Sequence, residues 1–322
     1  MLFLGIDIGG TKRVVVVGDH TGQLLEHIRK PMENSGDWRA DLACLIADGR
    51  ELVERWQERS GERLGRVGVS VPGPADTHRG VLLNPPNLPS WHNAPIGEAL
   101  REAFGVEVRV ENDANAAALA EFEFGAGRGT RDMVYLTMST GVGAGVIADG
   151  RLLRGAFGAA GEAGHLPIES PGELCRCGLS GCLEVYIGGH AWQSRLRRIV
   201  PVDSAVYSLA GGDREAIRPE HLVEAAKQGD GFACGEFERW LDDLARGIVP
   251  ILMLLEPERI VLGTIPTAAG EALCFEPLRE RVAARVWSHQ AERLSIVPAA
   301  LGDELPQRAG FTVAWVGLSM SD

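Results

Sequence analysis

No run of the 322-residue chain approaches the ~18 to 20 consecutive apolar residues that a membrane-spanning helix needs, so no such helix is expected. An excess of basic residues is missing too. Thirty-two Lys and Arg stand against 44 Asp and Glu, a formal net charge of −12 and the wrong sign for gripping nucleic-acid phosphates. No nucleic-acid partner is therefore expected, although a local basic patch stays open. Met1 leads within a few residues into a patterned strand, leaving no room for a signal peptide, and the chain reads as cytoplasmic. Cysteine is sparse at six residues, of which Cys44, Cys234 and Cys274 lie scattered in helical patterns like reduced core residues. What remains is an ordinary globular composition, 45% apolar and long enough for two cores.

The other three cysteines are concentrated in GEAGHLPIESPGELCRCGLSGCLE, Gly161 to Glu184. Cys175, Cys177 and Cys182 follow a C-x-C-x4-C spacing, with Gly178 and Gly181 allowing the tight turns that bring sulfurs together. His165, ten residues upstream of Cys175, can complete a tetrahedron. Cys3His is a closed structural zinc set with no position left for a water nucleophile, so such a metal shapes a loop and does no chemistry. The plainer alternative is three buried or disulfide-bonded cysteines and a core histidine. Glu162 and Glu184 flank the ligands, so a metal that fixes the ligands also fixes two carboxylates, which suit the adjacent hydroxyls of a sugar. Either glutamate alone is more often a solvated charge.

Hydrophobic patterning predicts an α/β chain. Strands are expected at Leu2–Ile8, Val14–Val17, Leu24–Ile28, Val67–Val71, Val106–Val110, Asp132–Met138, Val146–Leu153, Arg259–Leu262 and Leu294–Val297. Helices are expected at Trp38–Arg59, Ala94–Phe104, Ala114–Phe124, Ile187–Ile199, Glu220–Gln228, Phe232–Leu255 with a kink or break at Pro250, Gly270–Trp287 and Pro306–Leu318. Residues Ala205–Pro219 read as loop. Asp7 to Lys12, DIGGTK, is a glycine turn between strands whose amides and ammonium can meet a polyphosphate, though a simple Gly-Gly hairpin explains it as well. Ser139 to Gly145, STGVGAG, repeats the strand, glycine turn and strand pattern, which suggests two similar halves facing each other across a cleft. Asn112 or Asp113 can cap the alanine-rich helix that follows, and a carboxylate at a strand's end and a helix's start is also where α/β folds place chemistry.

Taken together, E-x-G-H at Glu162 to His165 and C-x-C-G-x-x-G-C-x-E at Cys175 to Glu184 resemble the signature of the ROK family of bacterial sugar kinases and sugar-responsive repressors. The likeness runs from Gly5 to about Gly302 and weakens toward its end. It implies an actin-like fold of the ribonuclease H-like and hexokinase type, with two lobes and a central cleft. The lobes implied are 1–112 with 303–322, and 113–302 carrying the zinc site. It implies zinc on His165, Cys175, Cys177 and Cys182, and sugar contacts from Glu162, His165, Glu184 and Asn112, with Gly73 and Asn87 bordering the sugar. Asp113 is the implied catalytic base and Asp7 the implied holder of magnesium. Gly9, Gly10, Thr11 and Lys12 form the implied first phosphate loop, and Thr140, Gly141 and Gly143 the second. Gly263 stands where the family runs glycines beneath adenosine, but here the chain reads Gly263-Thr264-Ile265-Pro266, a departure at the nucleotide site.

The activity implied is ATP-dependent phosphorylation of a hexose at its primary hydroxyl, glucose first, by a homodimer. Kinases for fructose, mannose, N-acetylglucosamine and N-acetylmannosamine share nearly all of these motifs. Repressor relatives carry a winged helix-turn-helix ahead of the kinase-like part, and with the phosphate turn beginning at Asp7 no such domain is expected. A sugar sensor without catalysis is disfavoured by intact Asp7, Lys12 and Asp113, and a zinc hydrolase by a full ligand set.

Overall fold

Strand β1 (Leu2–Ile8) alternates Leu2, Leu4, Ile6 and Ile8 on one face with Phe3 and Gly5 on the other, and it sits at the centre of a five-stranded sheet. The computed structural model describes residues 1–317. Strands β2 (Lys12–Asp19) and β3 (Leu24–Pro31) run antiparallel beside β1. On its other side β4 (Leu64–Val71) is parallel to β1. A ribbon of β5 (Ala75–Asp76) and β6 (Val81–Leu82) precedes β7 (Glu107–Asn112), which closes the sheet order β3-β2-β1-β4-β7.

The even face of β1 packs under the helix Trp38–Ser60, which buries Leu42, Leu45, Leu52 and Val53. That helix starts where the Asp37 carboxylate accepts from the Arg39 amide and stops at Gly61, a left-handed cap at φ 70°. The odd face receives the helix Leu305–Trp315 at small residues. A Cβ on Gly310 would lie 2.5 Å from the Ile6 carbonyl oxygen, so only glycine permits this approach. The same helix packs on Asp113–Phe124, with Phe124 and Phe311 ring centroids 6.3 Å apart.

A second unit repeats the plan. Strands β8 (Met133–Met138), β9 (Val142–Ala148), β10 (Arg151–Leu152), β11 (Arg259–Thr264) and β12 (Ser295–Pro298) lie in the order β10-β9-β8-β11-β12, with β8, β9 and β10 antiparallel and β11 and β12 parallel. Its core centres on Trp192, Phe237 and Trp240, whose stacked rings approach to 5.4 Å. Two sheets of identical order are the actin-like α/β plan expected from the sequence.

The compact units comprise Met1–Phe124, Arg154–Gly158 and the chain from Leu301 in one, and Gly125–Leu153 with Ala159–Ala300 in the other. The helix Asp113–Phe124, placed with the second lobe by the sequence reading, thus packs in the first unit. Other local differences follow backbone chemistry. Helix Gly231–Leu255 carries Pro250 near its end without dividing. The expected helix Ile187–Ile199 breaks at Gly188 into Leu183–Ile187 and Gly189–Ile199. Ala205–Leu209, expected as loop, is a short helix capped by the Ser204 hydroxyl. The expected helix Gly270–Trp287 is a π turn, Glu271–Phe275, leading into Glu276–Ala283. Leu318, the expected end of the last helix, and the rest of 318–322 fall outside the described residues. Among the described residues no helix is long and apolar enough to cross a membrane.

Candidate active site

In the first unit the turn from β1 to β2 is braced from behind. The Gly9 amide donates to the Lys12 carbonyl at 2.9 Å, so it is used inside the turn. Asn34 Nδ2 donates to the Gly10 carbonyl at 3.0 Å, and the Met32 amide to that of Thr11 at 3.0 Å. Thr11 and Lys12 are exposed at the tip. A Cβ on Gly10 would come within 2.8 Å of the Asn87 backbone oxygen, so this glycine lets the Asn87 loop lie directly on the turn. The loop is held by Leu88 and Trp91, both fully buried, with the Trp91 indole 3.4 Å from the Asp41 carboxylate. Gly73 lies beside Asn112, where a Cβ would sit 3.2 Å from the amide nitrogen.

Asp7, the penultimate residue of β1, precedes this turn and accepts from the Ser70 hydroxyl at 2.6 Å. Although half-buried by exposed surface, it is packed closely enough that desolvation pushes its carboxyl up to about 7. The hydroxyl of Ser70 opposes the rise, the charge of Asp113 adds to it and Arg29 counters it. Asp113 is exposed at the first residue of its helix, where its carboxylate and the Asn112 side-chain amide oxygen both accept from the Ala114 amide, at 2.8 and 3.0 Å. Helix polarity at that position favours the ionised carboxylate.

Glu111, which the sequence reading passed over, anchors this corner. It is buried, accepts from the Asn112 amide at 3.1 Å and Asn115 Nδ2 at 3.0 Å, and pairs with Arg154 at 2.7 Å. No signal in the sequence marks it, because Glu111 alternates with Glu107 and Arg109 on β7 while Val108 and Val110 occupy the apolar register. Glu111→Gln should leave Arg154 without its counter-charge and destabilise the protein by about 1–3 kcal/mol, measured by denaturant unfolding. A midpoint equal to wild type would remove this anchor.

In the second unit His165, Cys175, Cys177 and Cys182 converge, their ligand atoms all within 4.8 Å of one another. Cys177 and Cys182 sulfurs are 3.7 Å apart, as are His165 Nδ1 and the Cys175 sulfur. The edge of a tetrahedron with Zn–S bonds of about 2.3 Å is ~3.8 Å, so the set fits the ion. The electrostatics agree. Burial and the neighbouring sulfurs push the Cys182 thiol up to about 12, burial pushes Cys175 upward, and the Leu179 amide lowers Cys177, so only a bound cation would hold all three as thiolates.

The knuckle is joined to the second glycine turn. Glu184, two residues past Cys182, accepts from the Val142 amide at 2.9 Å, and a Cβ on Gly164, in the short helix Ala163–His165, would lie 3.0 Å from that of Val142. Glu184 and the short helix that ends at His165 are thereby held against the start of β9. The turn itself is shorter than the sequence suggested: Val142 already pairs with Met138, and Gly143 lies inside β9 opposite Thr137. Thr140 and Gly141 remain in the turn, which docks on the next helix through Gly189 and His190 amides donating to the Ser139 and Thr140 carbonyls at 2.8 and 2.9 Å. Beside it opens a cavity of about 710 Å³ lined by Ser139, Thr140, His190, Arg218, Glu220 and Thr264, among others. Of these, only Thr140 was singled out for a role from sequence. Arg176, between two cysteines of the knuckle, donates to His190 Nε2 at 2.8 Å. Gly263 backs onto the buried Tyr135, where a Cβ would lie 2.6 Å from the hydroxyl, and Thr264 is the neighbour that faces the cavity.

The family model described as "ROK family" matches residues 3–314. The chain belongs to the ROK family. A glucokinase from Thermotoga maritima is 37% identical over 287 residues, 87% of this chain and 86% of that protein. The crystal structure of the ROK hexokinase from Thermus thermophilus superposes with a TM-score of 0.82 at 32% identity, covering 99% of each chain. The ROK glucokinase from Streptomyces griseus, solved with glucose and AMPPNP, gives a TM-score of 0.77 at 30% identity over 98% of this chain and 99% of that one. These ROK relatives are sugar kinases.

Proposed function

We propose that this chain transfers the γ-phosphoryl group of ATP to the primary hydroxyl of a hexose, with glucose as first substrate. The observation that carries the reading is the joining of the Cys3His knuckle, Glu184 and the second glycine turn at Val142. The Thermotoga glucokinase and the glucose- and AMPPNP-bound Streptomyces structure support both the sugar and the donor. The cavity beside Thr140 has the volume of a small-molecule site, and we place the nucleoside there.

Phosphoryl transfer needs positioning and charge neutralisation more than covalent chemistry from the protein. Asn87, Asn112, Glu162, His165 and Glu184 hold the sugar ring, with Gly73 giving Asn112 its room. Asp113 accepts the proton of the attacking hydroxyl. Gly10, Thr11 and Lys12 of the first turn, with Thr140 and Gly141 of the second, orient the phosphates; Gly9 and Gly143 shape those turns, and Gly263 backs the nucleoside wall. Asp7, whose carboxyl burial raises to about 7, is where a cation would restore the charged form, and Mg²⁺ held there would neutralise phosphate charge. Zn²⁺ on His165, Cys175, Cys177 and Cys182 would supply rigidity only. A cytoplasmic homodimer without a nucleic-acid partner completes the proposal.

A coupled ADP-release assay across hexoses and amino sugars tests the reading. Activity with glucose or another hexose is expected, and no turnover with any sugar would overturn it. For the metal, the purified protein should contain about one zinc per chain, and Cys177→Ser should lose it together with at least ~10-fold in sugar affinity, read by calorimetry. Full sugar affinity in metal-free Cys177→Ser would separate the knuckle from the sugar site.

A further inference from the structure

One wall of the proposed nucleotide cavity contains a residue in a conformation that its own side chain disfavours. Thr264, the last residue of β11, has φ 59° and ψ −110°, outside the regions open to β-branched side chains. Glycine takes such angles without penalty, and residues held there against local preference cluster at functional sites. The hydroxyl shows what the strained residue does. Thr264 Oγ1 donates to the Met138 carbonyl, the residue opposite it across the parallel β8–β11 pair, and shares its proton with the Gly263 carbonyl at 2.8 Å, with Thr137 Oγ1 3.4 Å away.

The bond is made in place of another. Thr264 immediately precedes the helix Ile265–Ala269, where a threonine hydroxyl ordinarily caps the first turn, yet it makes no cap bond. Met138, Ser139 and Thr140 form one wall of the cavity, and Thr264, Ile265 and Ala268 form another. Thr267 fastens the same turn from the far side through a 2.9 Å bond to the Leu262 carbonyl.

We infer that Thr264 is the positioning residue that sets the width of the nucleotide pocket: its hydroxyl latches the wall bearing the second glycine turn to the wall that begins at Ile265. This rests on the kinase reading and deepens it, because the latch governs affinity for a nucleoside triphosphate and leaves the sugar alone. The backbone strain at Thr264 is the cost of placing a hydroxyl where glycine would be more comfortable.

Three variants of the full chain separate hydroxyl, branching and strain. Thr264→Val keeps shape and branching but removes the donor, Thr264→Ser keeps the donor, and Thr264→Gly removes both while relaxing the backbone. KM for ATP should rise about 10-fold in the Val and Gly variants and stay within about twofold in Ser, the scale of one lost hydrogen bond. KM for glucose should not change in any of them. The Tm of Thr264→Gly should equal or exceed wild type while its ATP affinity falls, a split that a purely structural role would not produce. An unchanged KM for ATP in Thr264→Val, or parallel rises in both KM values, would overturn the latch. Wild-type protein that binds glucose but not ATP in calorimetry would instead overturn the donor assignment, and the latch with it.

Discussion

Asp113→Asn should lower kcat by about 10²–10⁴, the range for loss of a positioned general base. KM for the sugar should move less than about threefold, because the lost interaction belongs to the transition state. The substitution is nearly isosteric and its remaining oxygen can still accept from the Ala114 amide, which the native carboxylate does at 2.8 Å. Helix geometry is therefore preserved and only proton acceptance is lost. The position explains why a carboxylate suits the task. It is exposed at the first residue of a helix that follows the parallel strand β7, where helix polarity favours a carboxylate over its neutral form. Calorimetric sugar binding by the variant, alongside its kcat, is the measurement. A variant retaining more than a tenth of wild-type kcat would take Asp113 out of the mechanism.

The parts of this site that were legible in the sequence are those encoded over short spans. The C-x-C-x4-C spacing and His165 describe a cluster that closes over eighteen residues, and the structure brings the same four ligands together. The two glycine turns were legible because each is bounded by strands of clear period, and the sheets they join share one strand order. Partnerships over long separations left no trace. Glu184 reads as a carboxylate for a sugar, yet one of its oxygens accepts from Val142, forty-two residues earlier. Glu111 and Arg154, forty-three apart, look like ordinary surface charges until burial makes them a pair. The helix Asp113–Phe124 sits in the first unit because of the helix Leu305–Trp315, which no local pattern could reveal. Likewise, Thr264 was visible as a departure from glycine, but its left-handed backbone and the route of its hydroxyl depend on Met138.

Asp7→Asn should abolish turnover, by about 10³-fold or more as expected for removing a charged group from a phosphoryl-transfer site, while making the protein more stable in mildly alkaline solution. The sign follows from the direction of the shift. Asp7 is raised from 3.8 to about 7 in the fold, mainly by burial, so the native state holds a proton that the unfolded chain has released between those values. Its contribution to stability is fully present below about pH 4 and is lost as pH rises through about 7. By about pH 8 the folded protein carries a desolvated carboxylate beside Asp113, at a cost of at most about 4 kcal/mol by linkage and less where water reaches the group. Asn removes that cost and can still accept from Ser70, which donates to Asp7 at 2.6 Å. Urea unfolding at pH 5 and pH 8 should therefore show wild type losing stability between the two relative to Asp7→Asn. MgATP should narrow the gap at pH 8 by stabilising wild type and not the variant. If Asp7→Asn were the less stable protein at pH 8, the carboxylate would already be satisfied in the empty fold and would have no need of a cation.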